Sequence, residues 1–278
     1  MKIDKNPSDR RPRVLVAVPT LGTRPDWLRA SITSIVLSSR NCDADVLIRI
    51  ITPTNVNLDP QLFRDNPSVA QLVSDRPGLS AAINDGWSSP HDADYVAWLG
   101  DDDLLSPESL HLTLTALESS RLAPAAYGKV RSIDEAGKTL WIMRPGRWAP
   151  AYMMIGKNLV PQPGSLFRWT AIIGAGALDE SLRAAMDQDL FMRLRKQGRL
   201  LYAGGEVAAF RIHGSSITTN GSGSDEGERL RSLYSPRRSR WTRPLTRVTD
   251  RVIFGLMRRL PAAPSPVGSN GRRYTDPL

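Results

Sequence analysis

Cysteine is almost absent from this chain of 278 residues: Cys42 is the single one. One cysteine excludes an intrachain disulfide and a cysteine-built zinc cluster, and it matches a reducing compartment. Histidine is scarce as well, with only His91, His111 and His213, and with one cysteine beside them a zinc site is not expected. Long apolar runs are missing. Val14–Val18 and Val252–Met257 stand out, and both fall far short of the roughly 20 residues that a spanning helix needs. Val14–Val18 is also too short for the core of a secretory signal, and it follows a charged, polar start. A cytoplasmic protein is expected.

Acidic residues are nearly missing from one end. Residues 229–278 hold 12 Arg and no Lys against Asp250 and Asp276, a net charge of +10 within a total of +9, so residues 1–228 carry −1. A neutral body disfavours a nucleic-acid-binding protein, whose body would carry its own basic face. In the tail, Leu245, Val248, Val252, Ile253, Leu256 and Leu260 recur at helical spacing, with Arg247, Arg251 and Arg258 on another face. The spacing predicts a basic amphipathic helix over 245–260. Such a helix lies on an anionic membrane or packs on protein, so peripheral association with the inner face of the plasma membrane is one expectation. The Ser/Gly/Thr-rich 215–227 reads as a linker, and 261–278 has the composition of a disordered end.

With 41% hydrophobic and 23% charged residues, the rest has the composition of a folded globular domain. It alternates strand and helix signals. Val14–Val18, Val46–Ile51, Val69–Val73 and Tyr95–Leu99 are compact apolar runs that read as strands. Between them, 27–37 and 78–87 carry helical spacing, and Ser106-Pro107-Glu108 has the grammar of a helix start running to about 119. Residues 181–197 read as helix and 199–212 as strand. Alternation of this kind predicts an α/β fold, a mostly parallel Rossmann-like sheet flanked by helices. Ligands of such sheets sit at the carboxyl ends of the strands.

Trp98-Leu99-Gly100-Asp101-Asp102-Asp103 stands at one of those ends. Three consecutive carboxylates repel one another unless a cation or several donors compensate. Hard cations such as Mg2+ or Mn2+ take oxygen ligands and complete their shells with phosphate and water. The string therefore suits a nucleotide-diphosphate site.

Five segments occur in a telling order: Val16-Ala17-Val18-Pro19-Thr20, Gly78-Leu79-Ser80-Ala81-Ala82-Ile83-Asn84, Leu99-Gly100-Asp101-Asp102-Asp103-Leu104-Leu105, Met186-Asp187-Gln188-Asp189-Leu190 and Arg211-Ile212-His213. Over residues 13–220 the chain resembles the family 2 glycosyltransferases of the GT-A fold. The resemblance implies a GT-A domain over 13–220, with 221–278 as linker and tail. It also implies an inverting enzyme that moves a sugar from a nucleotide-diphosphate donor to a glycan or lipid-linked acceptor, assisted by Mn2+ or Mg2+.

Under that resemblance Pro19, Thr20, Arg24, Asp75, Asn84, Asp101 and Asp102 lie along the nucleotide sugar. Asp102, Asp103 and His213 are the metal candidates, and Asp187 matches the catalytic base. Gly100 stands where the family usually has an Asp, which leaves open which two of the three aspartates act. Ile83 stands where an Arg often precedes the Asn. For the acceptor, Trp148 and Gln162 in the irregular 145–167 stretch and Asp189 are candidates, with Tyr152 and Trp87 as further aromatic faces. The alternative is a GT-A-like module that binds a nucleotide or glycan without turnover.

Overall fold

The computed structural model describes residues 10–214 apart from 65 and 90, together with residues 222–234 and Val252. The expected helix over 245–260 and the expected disordered end lie outside these residues, Val252 excepted.

The chain runs β1 (Arg13–Pro19), α1 (Pro25–Arg40), β2 (Asp45–Thr52), α2 (Gln61–Arg64), β3 (Val69–Val73), α3 (Leu79–Ser88), β4 (Tyr95–Trp98) and β5 (Leu104–Leu105). It continues α4 (Ser109–Glu118), β6 (Ala125–Ile133), β7 (Thr139–Met143), α5 (Ala149–Tyr152), β8 (Leu166–Arg168), α6 (Trp169–Ala175), α7 (Met186–Gln197), β9 (Leu201–Arg211) and α8 (Ser222–Tyr234). The four strands read from apolar runs appear within a residue or two of their expected ends. Ser106 does not cap α4. Its backbone carbonyl accepts from Ser109 N at 2.9 Å, its hydroxyl has no partner among the described residues, and the helix begins at Ser109.

Among the described residues the sheet has nine strands in the order β3-β2-β1-β4-β8-β6-β9-β5, with β7 paired to β6. Parallel pairing is concentrated in β3-β2-β1-β4 and recurs between β6 and β9, whereas β8, β7 and β5 pair antiparallel. The sheet is thus mixed, with the expected parallel block as its first half. β6 changes partners along its length: Ala125 and Ala126 pair with β8, and Val130 to Ile133 pair with β7.

Alternation along β1 shows why both faces are covered. Val14, Val16 and Val18 point into a core with Leu28, Ile32 and Ile35 of α1 and Leu110, Leu114 and Leu117 of α4. Leu15 and Ala17 point into the opposite core with Ile83 and Trp87 of α3, Ile172 of α6, and Leu190, Phe191 and Leu194 of α7. At the carboxyl edge the strand ends are tied together: Thr20 N donates to Ile51 O, Ser74 N to Thr52 O and Leu99 N to Ala17 O, at 2.9–3.0 Å. The loops after β1, β2, β3 and β4 therefore share one edge.

Of the expected linker 215–227, residues 222–227 belong to α8, and 215–221 lie outside the described residues. Leu230 is buried, and the helix packs against α7.

Candidate active site

The Asp101–Asp103 string follows β4 and immediately precedes β5, whose antiparallel register sets Leu104 opposite Ala209 and Leu105 opposite Ala208. Stepping back along one strand steps forward along the other, so Asp103 and Asp102 return beside Arg211 and His213. Arg211 N donates to Asp103 Oδ1 at 2.9 Å, and Arg211 Nε donates to the Asp102 carbonyl at 3.0 Å. Desolvation, with Asp102 beside it, drives the Asp103 carboxyl well above the usual carboxylate range.

Asp102 faces the other way. Its Oδ2 lies 2.7 Å from His213 Nε2 and 3.2 Å from Arg24 Nη1, and Arg24 Nη1 is 2.9 Å from the same His213 nitrogen. Asp101 completes the group, accepting from Arg24 Nη2 at 3.1 Å and from the Thr20 hydroxyl at 2.6 Å. Desolvation raises the Asp101 carboxyl, although the Thr20 hydroxyl and the Arg24 charge oppose the rise. Trp27 floors this junction, with its ring 5.1 Å from His213 and beneath the guanidiniums of Arg24 and Arg211. Trp27 was invisible as a site residue in the sequence, because a tryptophan at helical spacing reads as core.

A divalent cation can be tested against this donor set. Asp102 and His213 converge, whereas Asp103 turns to Arg211, so the three metal candidates do not meet, and no group of three metal-ligating side chains assembles among the described residues. One carboxylate and one imidazole still suit Mn2+ or Mg2+ where phosphate oxygens and water complete the shell. Arg24 already neutralises that position. Its Nε is buried without a hydrogen-bond partner among the described residues.

Asp187 sits in the first turn of α7. Gln188 N donates to its Oδ1 at 2.7 Å and Asn158 Nδ2 to its Oδ2 at 3.2 Å. The side chain keeps an edge toward solvent, but desolvation by the surrounding protein pushes its carboxyl up to about 6 against the two backbone N–H groups that favour the charge. Glu226 of α8 orders the turn before it, accepting from the backbone N–H groups of Arg183, Ala184 and Ala185 at 2.9–3.1 Å. Two links tie this turn to the strand ends. Ser80 Oγ touches Met186 Sδ at 2.9 Å, and the segment that supplies Asn158 also supplies Gln162, whose amide donates to Trp98 O at 2.9 Å.

The remaining candidates separate. Pro19 ends β1 beside Thr20. Asp75 binds the backbone and hydroxyl of Thr54, and these bonds, the hydroxyl first, hold its carboxyl below the ordinary value. Asn84 clamps the 178–180 loop, bonding Leu178 N and O and Glu180. Asp189 is buried and faces α8, paired with Arg193 at 2.6 Å and accepting from Tyr234 Oη at 2.7 Å. Trp87 is fully buried against Trp98 and Phe167, so it offers no face to a sugar. Trp148 is half exposed and meets Tyr152 edge to face. Asn158 and Glu226 carried no signal in the sequence, since nothing local marks which carboxylate or amide meets α7.

With this geometry in view, the comparisons with known proteins bear on the fold. No protein-family profile matches the sequence, and no curated protein matches it. Solved structures do. Residues 1–349 of S. aureus TarS, determined with UDP-GlcNAc, superpose at a TM-score of 0.58 and 12% identity, over 80% of this chain and 66% of that one. The same fragment with UDP gives 0.56 at 13% identity, over 87% and 72%. Mannosyltransferase PcManGT from Pyrobaculum calidifontis, with GDP-Man and Mn2+, gives 0.55 at 15% identity, over 76% and 60%. The fold is that of a glycosyltransferase. The chain spans 66% of the TarS fragment and 39% of a longer TarS structure.

Proposed function

We propose that this protein is an inverting glycosyltransferase of the family 2, GT-A type, which moves a sugar from a nucleotide-diphosphate donor to a glycan or lipid-linked hydroxyl. The observation that carries the reading is Asp187: a carboxylate raised to about 6, at a helix N-terminus tied to the strand ends that bear the Asp101–Arg24–Asp102–His213 junction. A base of that strength is ionised at neutral pH and still takes up a proton readily. The solved relatives support the donor class, since they hold UDP-GlcNAc, UDP and GDP-Man.

In this reading the loops after β1 and β3, with Pro19, Thr20 and Asp75, flank the base and ribose. Arg24 lies along the diphosphate, and its unpartnered Nε–H is a donor left for an oxyanion. Asp102 and His213 would hold Mn2+ or Mg2+, which when bound neutralises charge building on the leaving diphosphate. The acceptor hydroxyl approaches the anomeric carbon from the face opposite the diphosphate. Asp187 takes its proton as the new C–O bond forms and the C–O bond to the diphosphate breaks, so the anomeric configuration inverts. Asn158 holds Asp187 oriented, and Trp148 and Gln162 border the acceptor side. The basic stretch 245–260 keeps the enzyme on an anionic membrane beside a lipid-linked acceptor. Among the described residues no helix is long and apolar enough to cross a membrane.

Calorimetric titration of UDP, GDP and dTDP, with Mn2+ and then with EDTA, tests this directly. One diphosphate should bind in the presence of metal and lose affinity in EDTA. Absence of binding by all three overturns the donor site.

A further inference from the structure

Away from this junction the structure contains a cleft of about 820 Å³ between α4, the segment leading into α5 and the C-terminal end of α7. That volume is in the range of ligand sites. Its lining contains Arg147, Arg195, Lys196 and Arg199 and no acidic residue. Arg147, Arg195 and Arg199 are exposed and pair with no carboxylate among the described residues. Lys196 lies over the Tyr234 ring at 4.5 Å.

Cations in the last turn of a helix are ordinarily explained by its dipole. That accounts for Arg195 and Lys196 of α7. It does not account for Arg147 and Arg199, which come from outside the helices and converge on the same hollow. Arginine forks bind oxyanions with two parallel hydrogen bonds each, and four like charges around one cleft favour a multiply charged ligand.

We infer that the cleft is a second binding site, for a multiply charged phosphate group. Resting on the transferase reading, the phosphate belongs to the acceptor. α7 carries Asp187 at one end and Arg195 eight residues later, about 12 Å along the axis at the rise of an α-helix. The 147–162 segment likewise gives Arg147 to the cleft and Asn158 to Asp187. The cleft and the turn that carries Asp187 therefore draw on the same two segments of the chain.

The test uses the full chain and tripolyphosphate as probe, followed by calorimetry. Wild type should bind, and R147A/R195A/R199A should bind at least about tenfold more weakly. A control triple, R29A/R40A/R64A, which removes the same charge from α1 and α2, should behave as wild type. UDP or GDP affinity should be unchanged in both triples, so loss of the donor reading and loss of this one are told apart. A second arm measures sedimentation with phosphatidylglycerol vesicles. Loss of tripolyphosphate binding alone assigns the cleft to a soluble phosphate chain, and loss of both assigns it to a lipid phosphate. Equal binding by the cleft triple and wild type, or an equal loss in the control triple, overturns the site.

Discussion

Asp187 shows how burial of one side chain sets stability and, in the proposed reading, chemistry. The native state holds its proton to about pH 6, against 3.8 for the unperturbed group, so between these values the folded protein binds more protons than the unfolded one. Stability from this group therefore falls as pH rises through that window, and the ionised base is a standing cost above it. Asp187→Asn should leave diphosphate binding intact, stop transfer, and raise the melting temperature at pH 7.5 by about 2–4 °C, a gain that closes near pH 4. Calorimetric scans at the two pH values and a turnover assay check it, and wild-type turnover sinks the role. In the wild type, kcat/KM should fall below pH 6 as the base protonates. Asp187 was legible as a candidate from its motif. Its perturbation was not, because burial depends on Asn158 and on segments far from it in sequence.

Elements decide which side chains share the site. The first half of α8 reads as linker from its Ser/Gly-rich composition, which is poor in helix formers, yet Leu230 buries against the body, and Glu226 binds three N–H groups that precede α7. Desolvation opposes the Glu226 charge, but those backbone donors hold its carboxyl below the ordinary value. Its contribution is therefore present above the unfolded pKa and lost as pH falls through the folded one. Glu226→Ala should cost about 1–2 kcal/mol, as loss of a helix-terminal acceptor does, and lower kcat while leaving diphosphate affinity unchanged. Chemical denaturation and steady-state kinetics read the two effects, and an unaltered kcat removes Glu226 as a positioning residue. β6 was missed for a different reason. Its Gly128, Lys129 and Arg131 break the apolar run, and Arg131 is admitted to the interior with paired bonds to Glu206 on β9 at 2.7 and 2.8 Å and a bond to the Thr139 hydroxyl at 3.0 Å.

Across the whole molecule, charge is separated between a neutral body and a basic end. If 245–260 rests on an anionic surface, each arginine there is worth about 1 kcal/mol. Arg247→Glu/Arg251→Glu/Arg258→Glu should then reduce sedimentation with phosphatidylglycerol vesicles by at least about a hundredfold in affinity, with the melting temperature of the body unchanged. Equal sedimentation assigns membrane contact elsewhere. The sequence by itself determined the strands β1 to β4, the helices α1 and α3 and the acidic turn after β4, because apolar period, β-branched runs and carboxylate clustering are local and survive without the fold, and the family resemblance singled out Asp187. Tertiary structure alone decided that Asp102 meets His213 while Asp103 turns to Arg211, that Arg24 neutralises the junction, that Asn158 meets Asp187 and that Glu226 holds the turn before it. Those outcomes depend on strand register and helix packing between residues as much as 189 positions apart, where no local pattern records the partner.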